Sequence, residues 1–286
     1  MKVLLVGSNG QLGWELCRTC PEIVKLTALD YPDIDLCHPD SLIETIKQCA
    51  PDWVINSAAF TAVDKAENEQ TKAFQINHLA VLRIAESVKK LNIRLVQIST
   101  DFIFDGYQST PYLPDSTPNP ESVYGITKLE GERSVLEMLK ENVLIIRTAW
   151  LYSSHGNNFV KSILRLLKEK EYLNIVDDQI GTPCWADGLA KAIWIAIDKN
   201  LKGIFHWTDA GVASWYDFAV AIQEEGVACG FINNPIPINP IPTVEYPTPA
   251  KRPPYSVLDK TAFWKAIQVK PLHWRIQLRS MLKELN

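Results

Sequence analysis

The amino-acid sequence predicts an α/β fold in which a doubly wound parallel sheet is followed by a smaller lobe of mixed α/β structure. Two observations support this prediction. Over the first 150 residues, short apolar runs alternate with longer amphipathic runs, which is typical of a parallel sheet covered by helices on both faces. Beyond Trp150 this regular alternation ends, and eight prolines fall between residues 235 and 254.

The short apolar runs predict buried strands, and the amphipathic runs between them predict helices. The first strand is the continuous run Val3-Leu4-Leu5-Val6, and later runs such as Val143-Leu144-Ile145-Ile146 repeat the pattern. Right-handed crossovers then place the ligand crevice at the carboxyl ends of the strands. In order along the chain, strands are expected at 3–6, 24–29, 53–55, 95–98 and 143–146, and helices at 11–20, 41–49, about 71–91 and 121–140.

The remainder of the chain predicts a smaller lobe. Helices are expected at 158–169, 187–198 and about 264–285, and a short strand at 174–176. The prolines exclude a central strand or helix from 235–254. The Ile, Val and Tyr residues between them favour an ordered, extended path over a flexible linker. We therefore expect one domain of residues 1–150, to which the chain returns around 170–200, and a lobe formed mainly by residues 151–286.

Composition and charge exclude several classes of protein. The chain has 286 residues, of which 47% are hydrophobic, and its formal net charge is −4. A chain this apolar buries a sizeable core, and it has no basic field for nucleic acid. The sequence contains no run of 18 apolar residues that could span a bilayer, and its N-terminal residues lack the layout of a signal peptide. These features predict a cytoplasmic protein with neither nucleic-acid nor membrane partners.

The six cysteines favour neither a metal site nor disulfides. Cys17 and Cys20 form a single C-x-x-C, whereas a structural zinc site needs four ligands and no second pair is present. The two thiols fall in the first predicted helix, where this spacing favours packing on one face. The other four are scattered, as in a reducing compartment.

A glycine-rich segment between the first strand and the first helix predicts a dinucleotide site. Its glycines permit a tight turn, close approach of a pyrophosphate and close helix packing, and the helix N-terminus faces the phosphates. The alternative is an ordinary glycine-rich turn, but the preceding strand, the following helix and an acid at the end of the second strand favour the cofactor. The residues expected at this site are Gly7, Asn9, Gly10, Gln11, Leu12 and Gly13. Residues 1–150 therefore form the expected dinucleotide-binding (Rossmann) domain.

The second strand ends at Asp30, which predicts how the cofactor's ribose is bound. Its carboxylate can accept hydrogen bonds from the adenosine ribose hydroxyls and would repel a 2′-phosphate. No arginine follows it, so the sequence favours NADH without excluding NADPH. Asp35 and Leu36 are expected beside the adenine, with a turn-and-cap role as the alternative for this pair.

Two further segments supply groups suited to hydride-transfer chemistry. Tyr124 and Lys128 lie four residues apart on one face of a helix, where the ammonium favours the phenolate and lowers the tyrosine's pKa. Thr100 and Asp101 follow the fourth strand, where a hydroxyl can hydrogen-bond a substrate carbonyl. Each segment has an alternative when it is taken singly. The tyrosine could simply pack in the core beside a solvated lysine, and the strand-end residues could simply cap a turn. Together with the glycine-rich turn, the segments make a complete site.

These segments resemble the dTDP-4-dehydrorhamnose reductases, a family of the extended short-chain dehydrogenase/reductase superfamily. The resemblance covers nearly the whole chain. Its matching segments are residues 7–13, 56–67, 99–106, 124–132, 147–152, 178–183 and 252–259. It implies reduction of the C4 ketone of dTDP-4-dehydro-L-rhamnose to dTDP-L-rhamnose by NADPH or NADH, a step toward cell-surface polysaccharide. The implied partner is the dTDP-sugar, and the implied assembly is a monomer or homodimer.

The resemblance also implies roles for individual residues. Thr100 would bind the C4 oxygen, Tyr124 would protonate it, and Lys128 would hold Tyr124 and the nicotinamide ribose. The segment Ala58-Ala59-Phe60 would line the cofactor, with Asp64 shaping the site. The substrate is expected to contact Thr100, Asp101, Trp150 and Arg252, although a core tryptophan and a surface salt bridge are the alternatives for the last two.

The chain departs from the family pattern at two aromatic positions, and magnesium is possible but unsupported by its sequence. Phe60 and Phe102 stand where the family usually has tyrosine, so hydroxyl contacts are lost there. Some members bridge a dimer through magnesium, and Glu15 matches one carboxylate position. A full carboxylate set is not evident, so no metal is assigned.

Three other functions are alternatives to reduction. A related dehydratase needs an Asp-Glu pair after the threonine, but Phe102 follows Asp101 here. A related nucleotide-sugar epimerase remains open on fold grounds, without support from the downstream segments. A cofactor-binding regulatory subunit without reductase activity also remains open, although it could dispense with the tyrosine–lysine pair that this chain keeps.

Overall fold

The computed structural model describes residues 1–38, 40–140 and 142–285, and the chain alternates strands and helices through most of its length. The strands are β1 (Lys2–Val6), β2 (Lys25–Leu29), β3 (Trp53–Asn56), β4 (Arg94–Thr100), β5 (Val143–Thr148), β6 (Leu151–Tyr152), β7 (Leu173–Val176), β8 (Ile180–Gly181), β9 (Cys184–Trp185), β10 (Gly203–His206), β11 (Ala213–Ser214) and β12 (Ile238–Ile241). The α-helices are α1 (Gln11–Arg18), α2 (Asp40–Cys49), α3 (Val63–Asn68), α4 (Gln70–Phe74), α5 (Ala80–Leu91), α6 (Val123–Leu139), α7 (Phe159–Glu169), α8 (Ala186–Asp198), α9 (Trp215–Ala228), α10 (Thr261–Ile267) and α11 (Trp274–Glu284).

The main sheet has the doubly wound topology that the sequence predicts. Its strands lie in the order β10-β5-β4-β3-β1-β2, and neighbouring strands pair in parallel. The chain runs from β1 outward to β2 and then crosses to β3 on the other side of β1. The direction of winding therefore reverses between β1 and β3, and a ligand crevice is expected where these strands end.

Apolar side chains fill both faces of this sheet. On one face, Leu5 and Ile55 pack with Leu16 of α1 and with Leu189 and Ile193 of α8. On the other face, the residues of β1, β3, β4 and β5 pack against α2, α5 and α6. The chain thus comes back to the sheet through α8 and adds β10 to its edge.

A separate apolar cluster holds the rest of the chain together. It is built mainly from α7, α9 and α11, and Phe218 lies at its centre. The proline-rich segment runs extended beside it, where β12 pairs in parallel with β7. Pro240 lies within β12, which is tolerated because this ladder has no strand on its far side among the described residues. Within the described part of the chain, no helix is long and apolar enough to cross a bilayer.

Two expected helices differ from the structure. The helix expected at about 71–91 is interrupted by a π-helical turn at Gln75–Leu79, and the separate helix α3 precedes it. The single helix expected at about 264–285 is wrong: α10 ends at Ile267 and α11 starts at Trp274. Gln268 takes a left-handed conformation, and Pro271 cannot donate the backbone hydrogen bond that a continuous helix needs.

Candidate active site

A large cavity of about 1040 Å³ opens at the carboxyl ends of β1, β3 and β4. It brings together most of the site residues expected from the sequence. Those that line it are Gly7, Asn9, Gly10, Gln11, Leu12, Asp30, Asp35, Leu36, Ala58, Ala59, Thr100, Asp101, Tyr124, Lys128 and Trp150. Gly13, Phe60 and Arg252 are not part of the described lining.

The glycine-rich turn forms one end of the cavity and has little room for side chains. Gly7 has φ +92°, and a Cβ there would lie 2.6 Å from the backbone nitrogen of Ala58. Gly13 lies outside the cavity because it packs beneath the turn, where a Cβ would collide with the carbonyl oxygen of Gly7. Gly10 is the N-cap of α1, so the first amides of this helix are directed toward the cavity end.

The carboxylates of Asp30 and Asp35 lie beside this turn and are both held by backbone amides. Asp30 accepts hydrogen bonds from the amides of Asn9 and Tyr31, both at 2.7 Å. Asp35 accepts from the amide of Cys37 at 2.8 Å and contacts His38, and the bond to His38 lowers the pKa of the carboxyl. The turn role weighed for Asp35 is therefore present, and the residue also lines the cavity.

The segment Ala58-Ala59-Phe60 is fixed by a buried asparagine that the sequence did not single out. Asn77 lies in the π-helical turn, accepts from the amide of Phe60 at 2.8 Å and donates to the Phe60 carbonyl at 3.2 Å. It also donates to Thr127 of α6 at 3.1 Å. The π-turn thus connects the wall after β3 to the helix that carries Tyr124. The side chain of Phe60 packs against the Tyr124 cluster rather than the cavity.

Thr100 and Asp101 lie where β4 ends. The Thr100 hydroxyl accepts from the amide of Phe102 at 3.2 Å, so it caps the short 3-10 helix that follows, and it donates to the Asp101 carboxylate at 3.1 Å. Asp101 is fully buried, and desolvation raises the pKa of its carboxyl to about 6, against the lowering effects of Ser256 and Thr100. The capping role and the cavity-facing position coexist at Thr100.

Tyr124 and Lys128 are both buried on the face of α6 that lines the cavity. The Tyr124 ring packs edge-on against Phe102, with centroids 5.5 Å apart. Thr100 is near enough to oppose part of the rise in the pKa of Tyr124, so the two expected catalytic groups are neighbours. The Lys128 ammonium donates to the carbonyl of Ile98 at 2.7 Å.

The direction of the tyrosine's pKa shift corrects an expectation. The sequence predicts that Lys128 lowers the pKa of Tyr124, but burial and the nearby Asp101 carboxylate raise it to about 12. Burial also lowers the pKa of Lys128 to about 8, against the opposing effect of Glu132. In this arrangement the phenol keeps its proton, whereas Lys128 and Asp101 have pKa values about one unit above and below neutral pH.

A segment from the second half of the chain contacts the glycine-rich turn, and no motif in the sequence predicts this contact. His155 contacts the carbonyl oxygen of Asn9 at 3.0 Å, and Asn158 donates to the side chain of Gln11 at 3.0 Å. Asn157 and Asn158 line the cavity. This segment therefore contacts the turn directly, and Asn157 and Asn158 form part of the adjoining cavity wall.

Trp150 and Arg252, both expected to bind substrate, differ in their placement. Trp150 lines the cavity near Thr100 and Tyr124. Arg252 instead forms a two-pronged ion pair with Asp64, at 2.7 and 3.0 Å, and hydrogen bonding to this arginine lowers the pKa of the Asp64 carboxyl. This pair is the salt-bridge alternative weighed for Arg252, and it ties the proline-rich segment to the start of α3.

The surroundings of Glu15 do not fit the magnesium site that some family members have. The fully buried Glu15 accepts from Arg18 at 2.7 Å and from Ser153 at 2.8 Å. The same guanidinium contacts Asp187 at 2.7 Å and Glu284 at 3.5 Å. A side-chain cation thus already lies between these carboxylates, and the described residues contain no cluster of three metal-ligating side chains.

Comparisons with known proteins show the family of this chain. The family model described as "RmlD substrate binding domain" matches residues 1–286. The dTDP-4-dehydrorhamnose reductase of Shigella flexneri is 38% identical over 100% of this chain and 98% of its own length. The chain belongs to the dTDP-4-dehydrorhamnose reductase family.

Two solved structures extend the likeness to three dimensions. A dTDP-4-dehydrorhamnose reductase from Clostridium acetobutylicum superposes with a TM-score of 0.93 at 37% identity, covering 100% of this chain and 99% of the other. A family member from Bacillus anthracis, solved in complex with NADP, gives 0.92 at 32% identity and covers 99% of each chain. A UDP-glucose 4-epimerase from Thermus thermophilus is 18% identical with a TM-score of 0.84, which shows a shared fold only.

Proposed function

We propose that this chain reduces the C4 ketone of dTDP-4-dehydro-L-rhamnose to the alcohol of dTDP-L-rhamnose, using NADPH or NADH. The observation that carries the proposal is the placement of Thr100, Tyr124 and Lys128 along one cavity with the glycine-rich turn. Membership of the dTDP-4-dehydrorhamnose reductase family supports the choice of substrate.

The residues around the turn fit a dinucleotide cofactor. The amides that begin α1 after Gly10 suit a pyrophosphate, and the glycine at position 7 lets the turn pack directly against the backbone of Ala58. Asp30 and Asp35 would lie beside the adenosine, and Ala58 and Ala59 along the path toward Tyr124. When bound, the reduced nicotinamide supplies the hydride that adds to the ketone carbon.

Proton delivery to the ketone oxygen is assigned to Tyr124. A pKa of about 12 keeps the phenol protonated at neutral pH, so it is available as the general acid. Rotation of the Thr100 hydroxyl away from Asp101 would point its proton at the same oxygen and stabilise the developing charge. Lys128 would hold the cofactor ribose and the phenol, and its positive charge favours the phenolate left after transfer.

The assignment of the substrate's contacts is also part of the proposal. Asp101 and Trp150 would contact the sugar, since both line the cavity beside Thr100. Arg252 would reach the diphosphate only by leaving Asp64, because both prongs of its guanidinium are engaged there. In this scheme residues 1–150 bind the cofactor and carry the groups that act on the sugar's ketone, and residues 151–286 mainly form the lobe around the dTDP-sugar.

The cellular setting that we propose is the cytoplasm, where the chain would act as a monomer or homodimer. No disulfide joins the six cysteines in the described structure, which suits a reducing compartment.

The decisive experiment follows NADH and NADPH oxidation separately in the presence of dTDP-4-dehydro-L-rhamnose. We expect turnover by the wild-type protein and its loss in Tyr124→Phe by a factor of about 10² to 10⁴, the usual contribution of a general acid. Cofactor binding should survive, because the ring that packs on Phe102 is kept.

Tyr152→Phe is the matched control for this substitution. Tyr152 is also buried, but its hydroxyl has no hydrogen-bond partner in the described structure and it does not line the described cavity. Turnover should be unchanged in this variant. Wild-type protein that binds cofactor but oxidises neither coenzyme would support the regulatory-subunit alternative instead, and turnover within tenfold of wild type in Tyr124→Phe would overturn the assignment of the acid.

A further inference from the structure

Trp215 stands directly behind a residue that lines the sugar end of the cavity. Trp150 lines the cavity. Trp215 is the first residue of α9 and is not among the described residues that line the cavity. We propose that Trp215 is a positioning residue for the nucleotide-sugar, acting by fixing the orientation of the Trp150 indole. The inference rests on the function proposed above.

The two indoles form a face-to-face stack. Their ring centroids are 3.5 Å apart and their planes are within 5° of parallel. One face of Trp150 is therefore covered, and only the opposite face and the edges are available to a ligand. A sugar ring packs its C–H groups against such an indole face, so the orientation of Trp150 decides where a sugar would lie relative to Thr100 and Tyr124.

The backbone and the remaining edge of Trp150 are constrained as well. Trp150 has φ +45°, a conformation that non-glycine residues adopt only when their surroundings impose it. Gly181 passes close to its indole, and a Cβ there would lie 2.6 Å from the ring nitrogen. Trp150 is thus held in an unfavourable backbone conformation, with Gly181 close to its ring nitrogen and Trp215 covering one face of the indole.

Trp215 is itself anchored, which a positioning role requires. Its indole nitrogen donates to the side chain of Gln179 at 3.2 Å, and Gln179 donates to Thr243 at 3.0 Å. Phe159 packs on its ring at a centroid distance of 4.7 Å. Ser214 and Asp217 form a capping box around the first turn of α9 and fix the backbone of Trp215. Contacts from α7, α9 and the proline-rich segment therefore hold Trp215 in place, and Trp215 in turn restrains the orientation of Trp150.

The test compares Trp215→Ala and Trp215→Phe in steady-state kinetics with dTDP-4-dehydro-L-rhamnose. We expect Trp215→Ala to raise KM for the sugar nucleotide about tenfold, while the coenzyme KM stays within about twofold of wild type; a tenfold change corresponds to about 1.4 kcal/mol. Trp215→Phe should restore most of the affinity because a phenyl ring still covers Trp150. Far-ultraviolet circular dichroism gives a readout independent of activity, since stacked indoles produce a coupled pair of bands that Trp215→Ala abolishes.

Trp264→Ala is the matched control. Trp264 is a partly buried tryptophan that packs against the core of the main sheet. Its removal should leave both KM values and the coupled bands as in wild type. An unchanged sugar KM in Trp215→Ala, or an equal rise in the coenzyme KM, would overturn the positioning role. Wild-type protein that oxidises neither coenzyme would instead overturn the proposed function, and the positioning role would fall with it.

Discussion

Replacing Lys128 by methionine should abolish reduction and yet stabilise the fold. Lys128 is buried, and desolvation lowers the pKa of its ammonium from 10.5 to about 8. Because each pKa unit corresponds to about 1.4 kcal/mol, keeping this group charged at pH 7 costs the folded state about 3 kcal/mol. Methionine removes that cost but also removes the hydrogen bond to Ile98, worth about 1 kcal/mol. The expected net gain in the free energy of unfolding is about 2 kcal/mol.

The stability gain of Lys128→Met over the wild-type protein should shrink as pH rises. Between pH 8 and 10.5 the unfolded lysine still binds its proton while the folded one has lost it. The unfolded state therefore binds more protons, and this group makes the wild-type protein more stable as pH rises through that window. The advantage of Lys128→Met should be full below pH 8 and should disappear by about pH 10.5.

Urea denaturation at several pH values, followed by tryptophan fluorescence, measures this difference. Lys89→Met is the control, because Lys89 is an exposed residue of α5 outside the described cavity lining, where the substitution should change stability by less than about 0.5 kcal/mol. Turnover should fall at least about a hundredfold in Lys128→Met and stay unchanged in the control. A Lys128→Met protein that is less stable than wild type at pH 7, or whose stability difference does not vary with pH, would refute the reasoning.

Three further predictions concern the walls of the cavity and the helix behind it. Asp30→Ala should raise the ratio of kcat/KM with NADPH to that with NADH by about tenfold, since the carboxylate would repel a 2′-phosphate; an unchanged ratio would place Asp30 away from the ribose. His155→Ala should raise the coenzyme KM about fivefold and leave the sugar KM unchanged, because the bond to the carbonyl of Asn9 is lost; the two KM values from initial-rate kinetics decide this. Arg147→Met should lower the free energy of unfolding by about 3–5 kcal/mol, because it strands the buried carboxylate of Glu132 at the end of a 2.7 Å ion pair. A double variant that also carries Glu132→Gln should lose less than the two single variants together, as thermal or urea denaturation would show.

Where local sequence dictates local structure, the fold could be predicted. Continuous apolar runs such as Val3–Val6 fill a strand that is buried on both faces, so the first five strands were expected at nearly the positions found. β10 was missed because Gly203–His206 is short and only His206 among its residues is fully buried. α9 was missed because apolar residues surround most of it, as a helix packed between α7 and α11 requires, and no amphipathic period stands out.

The same distinction holds for the site. Three short motifs could be identified because their geometry follows from the strand or helix that carries them. They are the glycine-rich turn, the strand-end hydroxyl and the tyrosine–lysine pair. The contacts that were missed join residues far apart in the chain, as between His155 and Asn9 or between Trp215 and Trp150. Periodicity carries no information about such partners. The ion pair of Arg252 with Asp64 shows the converse: both residues were identified, but their mutual contact was not.

The raised pKa of Tyr124 has a consequence for the direction of catalysis. In ketone reduction the acid gives its proton to an oxygen that becomes an alkoxide, which is a stronger base than a phenolate even when the phenol's pKa is about 12. Proton transfer is therefore favourable without any lowering of the pKa by Lys128. Burial that raises the pKa keeps the acid loaded, whereas the reverse oxidation would need the phenolate and is disfavoured at neutral pH. The pH dependence of reduction should then come from Lys128, which holds the cofactor ribose and the phenol in the proposed scheme. Its positive charge is lost as pH rises above about 8. We expect kcat/KM for reduction to decline above that pH, and a flat profile to pH 10 would show that the lysine's charge is not required.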